Sequence, residues 1–290
     1  MLPAAESAGA VGAGNDPVPG SPGTTVPIRP LSFRELLDEP FALIQANIVV
    51  LACTTVIGLV LAELVVVSVT GGISALTDGS DAGTAWAAIL TTAACALLLR
   101  FLLRGMTVAV GLATVAGSPI GWRTALSRVG AVAGPLLLFQ VMFTLVGIGV
   151  LVVGSILIIT YPFALIWLGY LRAGRFVAVP VIFVERTTHA GAVARSRLLV
   201  DGAQSSIAGL WFAGRALLVL VAIPLFGIPW YLTEFVGTHR WPVIVLLTSA
   251  ALLIIAFGEV VESATRVVSY VDRRCRREGL DIRVPGTEKP

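Results

Sequence analysis

The chain has 290 residues, of which 57% are hydrophobic and only 13% charged, and its mean hydropathy is +0.93. Those proportions exclude a soluble globular domain of this size. The formal charge of +3 is carried almost wholly by arginine, Lys289 being the sole lysine. Because the arginines flank apolar runs instead of lining a soluble face, nucleic-acid partners are excluded as well.

Residues 1–30 are rich in Ala, Gly, Pro and Ser and lack apolar periodicity, so they read as a disordered tail; no apolar core of a signal peptide stands among them. At Ser32 and Glu35 the spacing predicts a capping box. Phe33, Leu36, Leu37, Phe41 and Ile44 then fall on one helical stripe, as expected of an interfacial helix bent at Pro40. A first span follows over 47–69, interrupted only by Glu63, and a second over 85–105, its helix continuing toward Ala116. Ser118-Pro119 starts another short amphipathic segment. The apolar tract 131–184 is too long for one crossing of a ~30 Å hydrocarbon core and divides into spans 131–157 and 162–184, with a turn near Tyr161-Pro162. A third short segment runs from Thr188 to Val200 and ends at Asp201-Gly202. Spans 206–230 and 242–265 complete the chain, the last helix reaching Glu278, with a short disordered end over 285–290.

The expected fold is therefore all-α and polytopic: six transmembrane helices, 31–284, with three amphipathic helices on the cytoplasmic side. A short segment precedes a pair of spans three times, and Ala125–Val129 (ALSRV) resembles Ala194–Leu198 (ARSRL), which suggests three structural repeats. Gly130 and Gly134 form a GxxxG continued by Gly147, Gly149 and Gly154, a surface for close helix packing within the bundle or between chains.

Orientation follows from arginine placement. Arg29, Arg34, Arg123, Arg128, Arg186, Arg195, Arg197 and the tail arginines share one side, with Arg100 and Arg104 just inside it. The opposite loops hold only Arg240. By the positive-inside rule both termini are cytoplasmic, with Trp86, Trp230 and Trp241 at the outer interface.

Charges inside spans cost about 2.5–3.5 kcal/mol each at the helix centre, so each needs a reason. Arg172, Arg175, Arg215, Glu259 and Glu262 fall there, Glu262 and Arg266 are spaced for an i,i+4 pair, and Glu63 lies nearer the outer face. Two readings stay open: a structural ion-pair network, or a polar cavity whose arginines meet an anionic head group. Arg273, Arg274, Arg276 and Arg277 serve as an orientation signal or as contacts to anionic lipid. Cys53, Cys95 and Cys275 have no paired spacing, and His189 and His239 are the only histidines, so neither a disulfide framework, a metal nor another cofactor is expected. GxSxG, Walker and HExxH motifs are absent from the sequence, and with His189 and His239 on opposite faces a catalytic function is disfavoured.

Four stretches carry a resemblance: Ile28–Asp38 (IRPLSFRELLD), Pro180–Glu185 (PVIFVE), Ala194–Gly202 (ARSRLLVDG) and Tyr270–Val284 (YVDRRCRREGLDIRV). Together they resemble a bacterial family named after the membrane domain of glycerophosphoryl diester phosphodiesterases. The resemblance implies a six-span domain in the bacterial plasma membrane without the catalytic barrel, which this chain has no room for. Its partners would be membrane lipids and possible membrane-protein or homo-oligomer contacts. The expected function is that of a scaffold or accessory subunit; the alternative is a transporter or binder of an anionic lipid or envelope precursor through spans 4–6.

Overall fold

A computed structural model describes residues 27–156, 158–236 and 240–279. The terminal tails, Leu280–Val284 of the family-like motif and His239 lie outside the described residues. Within them the chain is helical: α1 (Phe33–Ala46), α2 (Ile48–Leu76), α3 (Asp81–Val115), α4 (Trp122–Ala131), α5 (Ala133–Ser155), α6 (Tyr161–Ala173), α7 (Ala178–Glu185), α8 (His189–Val200), α9 (Gln204–Val236) and α10 (Arg240–Glu278). Six helical stretches among the described residues are long and apolar enough to cross a membrane, with α6 and α7 together forming the fourth. The order of one short helix followed by a pair of spans occurs three times.

Local chemistry sets the ends. Ser32 caps α1: its Oγ accepts from Glu35 N (3.3 Å), and Glu35 Oε2 accepts from Ser32 N (2.7 Å), the reciprocal box read from the sequence. α1 continues through Pro40, which is buried. At the end of α3, Gly117 takes φ +70° and Ser118 N reaches back to Ala113 O at 2.9 Å, closing a Schellman motif.

α3 and α10 are the central pair. α3 packs on α2, α4 and α10, and α10 also meets α1, α2 and α9. Leu103 to Val110 of α3 is buried continuously. One apolar cluster joins Leu51 and Val66 of α2 to Leu99 and Leu103 of α3 and Leu252 and Ala256 of α10. The outward faces are apolar too: Val49, Leu98 and Phe163 are about 70% exposed, the pattern of helices solvated by lipid.

Three features differ from the expectation. The fourth span is not one helix: between α6 and α7 the chain turns with i→i+3 bonds, Arg175 N to Arg172 O and Phe176 N to Ala173 O (both 3.1 Å). Pro180, which lacks an N–H and crowds the carbonyl four residues earlier, prevents α6 from continuing as an unbroken α-helix. α8 is not cleanly amphipathic, since Leu199 and Val200 are buried while Leu198 is 65% exposed. Gly130 and Gly134 face open space; the close approaches lie at Gly147, beside Arg172, and at Gly154, where an added Cβ would stand 2.4 Å from Ala164 Cβ.

Candidate functional site

A cluster of charges occupies the half of the bundle nearer α1, α4 and α8. Glu259, on α10, is 2% exposed. Its carboxylate accepts from Arg100 Nε (2.8 Å), from Arg104 Nε (2.7 Å) and Nη2 (3.0 Å), and from Ser263 Oγ (3.2 Å). Arg104 is fully buried, and its Nη1 also donates to Gln140 Oε1 of α5. One turn along α10, Glu262 pairs with Arg215 of α9 and with Arg266.

Arg172 completes the set with no carboxylate at ion-pair distance among the described residues, Glu262 acting on it only from farther off. Its guanidinium lies 4.1 Å from the Phe143 ring centroid and 5.2 Å from that of Trp211. Gly147 leaves it room, since a Cβ there would meet Arg172 Nη2 at 3.0 Å. Arg266, fully buried, is similarly walled by Phe139, Phe143 and Phe176 at 5.4–5.7 Å. Aromatic faces offer cations partial compensation, about 2 kcal/mol at best when desolvated.

Five guanidinium groups thus share two carboxylates, leaving three positive charges in excess. The hydrogen-bond ledger has the same sign. Five buried atoms without a partner are donors only, Gln140 Nε2, Arg172 Nε, Trp211 Nε1, and Arg266 Nε and Nη1, beside the hydroxyls of Thr107 and Ser269, which can donate or accept. The site has more donors than acceptors and more positive charge than negative.

A groove of about 280 Å³ opens between α9 and α10 onto this cluster. Arg100, Arg215, Glu259 and Glu262 form its polar floor, and Leu218, Val219, Ala222, Ile254 and Ile255 its apolar walls. Gly258 narrows it, an added Cβ there falling 2.7 Å from Leu218 Cδ1. The side chains of Arg100 and Arg215 are 24% and 34% exposed, so both are reachable from the bilayer side.

Of the sequence-predicted residues, Arg172, Arg215, Glu259, Glu262 and Arg266 come together, and Arg175 does not. It sits in the α6–α7 break and lines a different cavity with Arg197. Arg100 and Arg104 belong to the cluster although their sequence position suggested the membrane boundary. Their signal was the matching rise of two helices: Arg100 is nineteen residues into α3, as Glu259 is into α10. Glu63 stands apart, accepting from Thr248 Oγ1 at 2.9 Å.

The tail arginines have protein partners. Arg273 Nε and Arg276 Nε donate to the buried carboxylate of Asp272 at 2.8 and 2.9 Å, Arg274 Nε to Glu278 at 2.7 Å, and Arg277 to the backbone oxygen of Asp201. Asp272 Oδ1 also accepts from Leu31 N at 2.8 Å, so the end of α10 fastens the entry to α1. Arg195 bridges Glu185 and Glu278, and these carboxylates hold its guanidinium above the usual arginine range. No group of three or more His, Cys, Asp or Glu side chains suited to a metal occurs among the described residues.

No family model, curated protein or solved structure matches the chain.

Proposed function

We propose that this membrane protein is a non-enzymatic binder of an anionic amphiphile, a lipid or envelope precursor whose phosphate-type head enters the arginine cluster between α9 and α10. The observation that carries the reading is the one-sided deficit: three uncompensated positive charges together with five buried donor atoms lacking acceptors. Arginine forks suit phosphate and carboxylate oxygens bidentately. A head group at Arg100 and Arg215, which line the groove, would leave its chains against Leu218, Val219 and Ile254, with Arg172 behind Trp211 adding positive charge. Lateral entry from the bilayer suits a ligand that never leaves lipid. The arginine bias favours cytoplasmic termini, which would put this site in the inner half of the bilayer, and the family resemblance favours a bacterial plasma membrane.

A second reading, a scaffold or accessory subunit resembling the phosphodiesterase membrane domain, is favoured by the multiply bonded Glu259, which ties α3 to α10 as a structural pair would. Purification in native lipid followed by mass spectrometry of the retained lipids separates the two. The binder predicts enrichment of one anionic class, lost in Arg215→Leu while the protein still accumulates. A lipid profile matching bulk membrane, unchanged in the variant, refutes it.

A further inference from the structure

We propose a second, separate anion site at the α6–α7 break: a cavity of about 580 Å³ in which Arg175 and Arg197 hold a phosphate group. The volume is that of a small-ligand site. The break that interrupts the fourth span places Arg175 here instead of in the central cluster. Ser196 Oγ donates to Gly174 O at 3.1 Å, locking α8 against the break. The stem of Arg197 runs beside Gly174, its Cγ 3.8 Å from where a Cβ would stand, an ordinary contact distance. Neither guanidinium has a carboxylate partner among the described residues, so two like charges line one cavity.

Two further features point to an anion. Gln204, at the first turn of α9, lines the same cavity, and the residue preceding that helix is Ala203, which has no side-chain oxygen to cap the first turn. The one carboxylate in the lining, Asp201, is 3.5 Å from Arg277 Nη2, so the local balance stays positive. Tyr170, Leu171 and the exposed Leu198 make the rest of the wall apolar, as a lipid bearing the phosphate requires. The phosphate belongs either to a lipid head group or to free inorganic phosphate, and the test distinguishes these sources.

The full chain is reconstituted in nanodiscs of phosphatidylcholine alone or with added phosphatidylglycerol. Retained phosphatidylglycerol is counted by native mass spectrometry, and inorganic phosphate is titrated into the phosphatidylcholine discs against thermal unfolding. Removing an arginine weakens head-group binding by about fivefold. Arg197→Gln, at an exposed position, and the Arg175→Gln/Arg197→Gln pair should lose affinity in that order for whichever source binds. Arg172→Leu, in the central cluster, should leave this site unchanged, so failure of the central site does not imitate failure here. If the double variant does not fold, Arg197→Gln alone decides. Equal phosphatidylglycerol retention and an equal phosphate response in wild type and Arg197→Gln overturn the proposal.

Discussion

Arg172→Leu is the most discriminating substitution in the central cluster. In the protein without ligand, Arg172 contributes its two ring contacts, to Phe143 at 4.1 Å and Trp211 at 5.2 Å. Such contacts stabilise by about 0.5–2 kcal/mol each. Against them stands the cost of holding an unpaired guanidinium within a span, about 2.5–3.5 kcal/mol on insertion scales. The two overlap, so leucine should destabilise lipid-stripped protein by no more than about 1.5 kcal/mol and can even stabilise it. With an anionic ligand at 100 times its Kd, wild type should gain about 2.7 kcal/mol by linkage, and the variant should lose most of that gain. The assay is thermal unfolding in phosphatidylcholine nanodiscs, with and without anionic lipid. A variant destabilised by 2–3 kcal/mol equally in both discs would show Arg172 to be a packing residue and refute the argument.

The remaining expectations concern the frame around that residue. Glu259→Leu strips Arg100 and Arg104 of their carboxylate and should cost about 3–5 kcal/mol, seen as lost accumulation or a lower melting temperature; Glu259→Gln, which keeps two polar atoms, should cost less. Gly154→Ala, which sets a methyl 2.4 Å from Ala164 Cβ, should destabilise by about 1–3 kcal/mol, whereas Gly134→Ala, in open space, should be neutral by the same melting assay. Hydrogen bonds from Arg29 and the Ser32 amide hold the Glu35 carboxyl down to about 2 from its ordinary 4.5. Its contribution is therefore present above pH 4.5 and lost as pH falls from there toward 2, and Glu35→Gln should flatten that part of a melting-temperature profile. Burial, with Arg175 nearby, lowers the pKa of His189 below its usual 6.5. The unfolded chain then takes up this proton first, so stability should fall as pH drops through 6.5, and His189→Gln should remove that slope.

Much of this architecture was legible because membrane helices write themselves in length and apolarity. The Ser32–Glu35 box, the stop at Gly202 and the reach of α10 to Glu278 followed from local chemistry acting within a few residues. What escaped was set by contacts distant in sequence. Arg104 and Glu259 are 155 residues apart, and only the shared depth of two parallel helices joins them. The break before Pro180 lies in an apolar run whose composition suits an unbroken span, which groups Arg175 with Arg172 although the turn that begins at Gly174 separates their surroundings. Gly130 and Gly134 meet no facing helix among the described residues of this chain, so of the two kinds of packing their spacing suggests, within the bundle or between chains, the first does not apply.

The distribution of charge over the threefold helix pattern argues for a ligand more strongly than any single residue does. α3 supplies Arg100 and Arg104, α6 Arg172 and α9 Arg215, while both carboxylates and Arg266 come from one helix, α10. A network serving only to hold helices together gains nothing from Arg172, which adds desolvation cost without an ion pair, whereas Arg100, Arg104, Arg215 and Arg266 each have one. Stability alone does not call for arginine at position 172, where two aromatic rings would pack as well against an apolar side chain. Retaining arginine there makes physical sense if the negative charge arrives from outside the chain. Glu259 and Glu262 then hold their arginines in place between visits, keeping the forks preorganised without neutralising all of them.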